Sequence, residues 1–182
     1  MDKPKLISSR SIHEGRVVRL HIDTLDLGDG STTDLEVMYH GGAAAILPFE
    51  TDDSVILVEQ YRRGSDQVML ELPAGGLDEG ESPDDAARRE LQEEIGFYPE
   101  QLEFLGHFWV AASYTTEKIS IYIARDLRPS TLPADLDERI KIVRMPFDEA
   151  LEMALDNRIT DAKTVMGLIW AGHKLGRIGE KE

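Results

Sequence analysis

Cysteine is absent from the 182 residues, and its absence removes disulfides, thiolate zinc sites and a cysteine nucleophile together. It leaves the compartment open, because a cysteine-free chain tolerates both redox conditions. Long apolar runs are also missing. The longest, Ala43 to Phe49, contains Pro48 and falls far short of the roughly 20 residues needed to cross a bilayer. No apolar segment follows the opening Met1-Asp2-Lys3-Pro4-Lys5, so a secretory leader is not indicated and a cytoplasmic protein is expected. Positive charge is scarce: 20 Lys and Arg stand against 35 Asp and Glu, a formal charge of -15. Such an excess repels nucleic-acid backbones and anionic membranes, and no basic stripe offsets it locally. A polyanionic ligand would need a metal to bind here.

What is present is a globular composition, 41% hydrophobic and 30% charged, on a chain long enough to bury one sizeable core. Val18, Leu20, Ile22, Leu25 and Leu27 alternate with polar residues, Gly28-Asp29-Gly30 supplies a turn, and Leu35, Val37 and Tyr39 resume the alternation. The first forty residues therefore read as a small antiparallel sheet. Ala43 to Leu47 and Val55 to Val58 are continuous apolar runs suited to strands buried on both faces, with a further strand from Val68 to Leu72. Strands are expected again over Phe104 to Val110, Ile119 to Ile123 and Ile140 to Val143, with a loop from Arg125 to Leu136. Helices are expected over Asp148 to Leu155 and from Thr160, as N-cap, to about Lys174. Strands and helices mix without a regular βαβ alternation, so the α/β class expected is a mixed sheet flanked by helices.

Residues 75 to 97 stand apart. They contain eight acids and two bases, -6 of the chain's -15. A glycine loop precedes a helix from 83 to 95, signalled by Ser82 as N-cap, Pro83 at the first helical position, Asp84 and Asp85 in the first turn and Gly96 as its stop. At about 100° per residue, Glu90, Glu93 and Glu94 share one edge while Ala87, Leu91 and Ile95 form the adjacent apolar stripe. Crowded carboxylates repel and raise one another's pKa, and of the two bases only Arg89, four residues before Glu93, is placed as a local partner. Hard divalent cations take oxygen ligands of this kind. A plain solvated acidic face is the competing account.

The spacing decides between them. Gly75-x5-Glu81-x7-Arg89-Glu90-Leu91-x-Glu93-Glu94-x-Gly96-Phe97 matches the 23-residue signature of the Nudix hydrolases at every fixed position, a coincidence of roughly one in ten million at ordinary residue usage. The resemblance implies a Nudix α/β/α sandwich over residues 41–182, preceded by an N-terminal antiparallel β-sheet extension, residues 1–40, that takes part in a homodimer. It implies metal-dependent hydrolysis, with Mg2+ as cofactor and Mn2+ as a substitute. In this reading Glu90, Glu94 and the Ala74 carbonyl hold metal, Glu93 is a further metal ligand or a water-orienting acid, and Arg89 fixes a catalytic carboxylate. Glu81 is either a further acid of the site or a first-turn helix charge.

Val58-Glu59-Gln60-Tyr61-Arg62 and Leu70-Glu71-Leu72-Pro73-Ala74-Gly75-Gly76 resemble the segments preceding that signature in ADP-ribose pyrophosphatases and related nucleoside-diphosphate-sugar hydrolases. Arg62 and Glu71 are then substrate-binding residues, with a surface salt bridge to Glu59 the alternative for Arg62. Asp161-Ala162-Lys163 resembles an Asp-x-Lys motif of the same group, adding Asp161 and Lys163; helix-end preference is the alternative for Asp161. Glu138, in Asp137-Glu138-Arg139-Ile140, is the candidate general base, with an exposed loop acid as its alternative. One departure broadens the expected substrate. Ala112, fifteen residues after Phe97, stands where ADP-ribose pyrophosphatases carry a proline, so nucleotide sugars generally, ADP-ribose included, are expected. Another nucleotide substrate, such as a dinucleoside polyphosphate or modified triphosphate, and a non-catalytic nucleotide-binding module are the alternatives. The five histidines show no metal spacing, and Trp109 and Trp170 read as packing residues.

Overall fold

The protein is described by a computed structural model covering residues 2–134 and 139–179. In chain order its elements are β1 (Lys5–Glu14), β2 (Arg19–Asp26), β3 (Thr32–Tyr39), β4 (Ala43–Thr51), β5 (Ser54–Arg62), β6 (Gln67–Glu71) and β7 (Ala74–Gly76), followed by α1 (Pro83–Glu94), β8 (Phe97–Trp109), β9 (Lys118–Pro129), β10 (Ile140–Pro146), α2 (Phe147–Leu155) and α3 (Ala162–Lys174). They fall into two compact units. One comprises residues 1–42 with 108–118; the other comprises 43–107 with the remainder from 119.

The first unit is an antiparallel sheet in the order β1-β2-β3. Its turn after β2 closes with Leu27 N donating to Ser31 O at 3.1 Å. Gly28 and Gly30 both take positive φ there, 84° and 90°, the conformation that tight turns demand of glycine. Residues 108–118 return alongside β3, where Met38 N donates to Tyr114 O and Thr116 N to Met38 O. Every residue of β1 is exposed, Leu6, Ile7 and Ile12 among them.

The second unit carries a mixed sheet ordered β10-β5-β4-β9-β8, with β6 added to β5 and β7 to β4. β4 runs parallel to β9 and antiparallel to β5. The apolar runs of β4 and β5 are buried on both faces, as continuous hydrophobicity requires. Ala44, Ile46, Ile56, Val58, Tyr122 and Ala124 pack against Ala86, Ala87 and Leu91 of α1. α3 covers the opposite face, where a Cβ on Gly167 would lie 2.6 Å from Leu72 Cδ1 and 3.4 Å from Ile121 Cγ2. Each fully buried Leu or Ile in these layers contributes on the order of 1.5–3 kcal/mol. The expected α/β/α sandwich with a mixed sheet is therefore present, as is the separate antiparallel sheet before it.

Three local expectations need correction. Arg125 to Pro129 is not loop but the end of β9; Ala124 is buried and Leu127 packs on the core, while the guanidiniums of Arg125 and Arg128 lie over the rings of Phe49 and Tyr98. Pro129 and Pro133 suggest a loop here, but Pro129 is the last residue of the strand and not a break in it. β8 begins at Phe97, earlier than expected. The N-cap of α3 is Asp161, not Thr160, because the Asp161 carboxylate accepts from Thr164 N at 3.0 Å.

Candidate active site

Local sequence sets the position of α1. Ser82 Oγ accepts from Asp85 N at 3.2 Å, Pro83 opens the first turn, and Gly96 leaves the helix at φ 76°. With Ala87, Leu91 and Ile95 in the core, Glu90, Glu93 and Glu94 must lie along its edge. That edge faces protein, and Glu90 and Glu94 are only 6% and 7% exposed. Strand β7 explains why: Ala74 N donates to Glu94 Oε2 at 3.1 Å, and the Glu90 carboxylate occupies the space a Cβ on residue 75 would fill. Gly75 is required because any side chain would fall inside that carboxylate.

Arg89 gathers the acids. Its Nε and Nη2 donate to the two oxygens of Glu81 at 2.9 Å each, its Nη1 to Glu90 at 2.6 Å and Glu93 at 2.8 Å, and Nη2 also to Gly76 O at 2.9 Å. Glu81 is the bidentate partner of Arg89. Asp78 N donates to Glu81 Oε2 at 2.9 Å, which closes the glycine loop onto the same pair. Hydrogen bonding to Arg89 holds the Glu81 carboxyl below its usual range, and the acids around Arg89, Glu81 foremost, raise the guanidinium.

A second network lies at the end of β6. Glu71, 1% exposed, accepts from Arg62 Nε at 2.9 Å and Nη2 at 2.8 Å and from Lys163 Nζ. Burial opposes ionisation of Glu71, but the Arg62 hydrogen bonds and Lys163 prevail and its carboxyl lies below the usual range. Lys163 also meets Asp161 at 3.0 Å. Arg62 does not pair with Glu59, which binds Lys141 at 2.7 Å. The structure thus brings Arg62, Glu71, Asp161 and Lys163 together, and it places Arg89, Glu90, Glu93, Glu94 and Ala74 together around α1 and β7. Arg62 also feels the charge of Glu94, which links the two groups electrostatically. Glu138 lies outside the described residues. Sequence reading missed Thr164, whose hydroxyl joins α3 to Leu72; its spacing from Asp161, the N-cap plus three, was the available signal.

Comparison with known proteins fits this geometry. Residues 38–166 match the NUDIX domain. The chain belongs to the Nudix family. Among relatives of this Nudix protein, a methanol dehydrogenase activator of Bacillus methanolicus is 37% identical over 90% of each chain. An ADP-ribose pyrophosphatase of Bacillus subtilis is 28% identical over 90% of each. A crystal structure of an ADP compounds hydrolase superposes with a TM-score of 0.83 at 30% identity, covering 98% of each chain. Nudix hydrolases generally use divalent metal ions. Among the described residues, no three carboxylate or imidazole groups stand as a finished metal cage: Glu81, Glu90 and Glu93 turn onto Arg89 and Glu94 onto the Ala74 amide. The donors nevertheless suit a hard cation, because Gly75 lets the Glu90 carboxylate approach the β7 backbone without steric conflict. No described helix of this Nudix chain is long and apolar enough to cross a membrane.

Proposed function

We propose that the protein hydrolyses the diphosphate linkage of nucleoside diphosphate sugars, ADP-ribose included, to a nucleoside monophosphate and a sugar phosphate, with Mg2+ as the preferred ion and Mn2+ a substitute. The observation that carries the reading is the arrangement of Glu90 and Glu94 on β7, with Arg89 spanning Glu81, Glu90 and Glu93. Glu90, Glu93, Glu94 and the Ala74 carbonyl would hold the ion. When bound, it supplies neutralisation of the diphosphate and Lewis-acid activation of water. The chain's own residues do the rest. Arg89 holds the acids in place by hydrogen bonds, Glu93 orients the attacking water, and Glu138 is proposed as the base that takes its proton. Arg62 and Lys163 are assigned to the substrate diphosphate from the side of Glu71. Names of relatives that act on ADP-ribose or ADP compounds support this substrate class.

Residues 1–40 are proposed as the region through which two copies associate, the nucleotide sugar being otherwise the only partner. Leu6, Ile7 and Ile12 are exposed along β1, and a long edge strand that exposes apolar side chains invites a second chain. Sedimentation should show a dimer at micromolar concentration, and a monomer there would remove this part of the reading. The reaction is tested with a panel of nucleotide sugars, dinucleoside polyphosphates and nucleoside triphosphates, with and without Mg2+ and coupled to a phosphatase. Metal-dependent phosphate release from the nucleotide sugars is expected. Release from the other classes alone would redirect the assignment, and no release from any would sink catalysis altogether.

A further inference from the structure

The segment from Glu71 to Gly76 has its backbone fixed residue by residue. Ile46 N donates to Pro73 O at 2.9 Å, Ala74 N to Glu94 at 3.1 Å, and Arg89 to Gly76 O at 2.9 Å. At its start, Leu72 N donates to Thr164 Oγ1 at 2.8 Å. Thr164 is fully buried, and its hydroxyl in turn donates to Asp161 Oδ2 at 2.6 Å. One hydroxyl therefore accepts from the strand end and donates to the carboxylate that caps α3, filling both roles available to it. The next turn of α3 leaves no slack, since Gly167 packs directly against Leu72.

We propose that Thr164 is a positioning residue for metal binding and hydrolysis, acting through Leu72 to fix the height of Ala74 and Gly75 against Glu90 and Glu94. The physical argument concerns tolerance. The Leu72 amide lies two positions before Ala74, so its anchor sets where the chain enters β7, whose Ala74 amide meets Glu94 at 3.1 Å and whose Gly75 lies against the Glu90 carboxylate. A buried amide left without an acceptor costs about 1–3 kcal/mol and shifts to find one. Asp161 belongs to the same device, since it orients the Thr164 hydroxyl while capping the helix. The proposal rests on the hydrolase reading given above.

The test compares Thr164→Val, which keeps the shape and removes the hydroxyl, with Thr164→Ser, which keeps the hydroxyl. Mn2+ affinity of the whole protein is read by electron paramagnetic resonance, alongside kcat and KM on ADP-ribose with Mg2+. For Thr164→Val, Mn2+ affinity should fall at least about tenfold and kcat about 10–100-fold, the range of supporting residues around metal ligands, with KM within about twofold. Thr164→Ser should recover both to within about threefold. Thr164→Ala reads the same quantities if the valine variant does not fold. Unchanged Mn2+ affinity in a folded variant lacking the hydroxyl would overturn the proposal, as would an effect that the serine fails to restore. If neither hydroxyl-free variant folds, Thr164→Ser decides alone, and wild-type Mn2+ affinity and kcat in it are then required. Wild-type protein that binds no Mn2+ defeats the hydrolase reading itself, which separates the two failures.

Discussion

Two charge networks lie side by side in the second unit and are built on opposite plans. Around α1 one guanidinium, Arg89, is hydrogen-bonded to three carboxylates, Glu81, Glu90 and Glu93, with that of Asp78 at 3.8 Å. At the end of β6 two cations, Arg62 and Lys163, meet two carboxylates, Glu71 and Asp161. The first is acid-rich by at least three to one; the second is balanced. An acid-rich group partly removed from water is unfavourable unless another positive charge arrives, so it has a use for a divalent cation. A balanced one can be buried to the extent that Glu71 is, with its lone pairs satisfied, and holds its two cations in place without a metal ion. Similar residue types thus do different work, and the ratio of charges tells them apart.

The contrast can be broken from either side. Glu94→Gln removes one negative charge from the acid-rich edge while keeping the Ala74 hydrogen bond. Turnover should fall to background with circular dichroism and thermal midpoint unchanged, and retained turnover would sink the metal assignment. Gly75→Ala leaves every charge in place and displaces the Glu90 carboxylate by about the size of a methyl group. Misplacement on that scale costs on the order of 100-fold in rate, and kcat with Mg2+ at saturation is the measurement. An unchanged kcat would mean that Glu90 need not lie against β7.

Acid should reveal the balanced network with the smallest effect of the three. The Glu71 carboxyl is held below its usual range in the folded protein, so its contribution to stability is complete above the unfolded value near 4.5. It is lost as pH falls through the lowered folded value. Thermal midpoints should therefore drop as pH falls below about 4.5, and Glu71→Gln should flatten that limb while lowering the midpoint at neutral pH. An identical acid limb in the variant would show that Glu71 is not the group responsible.

Legibility followed sequence distance. The helix of α1, its cap at Ser82, its stop at Gly96 and the edge bearing Glu90, Glu93 and Glu94 were all readable, because each depends on neighbours within one or two turns. Arg89 as partner of Glu93 was readable for the same reason. The fate of Glu81 was not, since the glycine loop must fold back before the Arg89 fork can reach it. β9 beyond Ala124 was misread because Pro129 and Pro133 suggested a loop, whereas the strand runs on to Pro129 itself. The cap of α3 was misplaced by one residue where Thr160 and Asp161 both qualify on type alone.

By itself the sequence determined the acid-rich helix, its glycine loop and the family that this spacing identifies, because local backbone preference and helical periodicity are properties of short segments. Only the tertiary structure decided what those acids touch. Glu71 finds Lys163 and Leu72 finds Thr164 across 92 positions of chain, and Glu94 finds Ala74 across 20. Such contacts exist because α1 and α3 pack on opposite faces of one sheet, and the bonds that fix β7 between them depend on that packing.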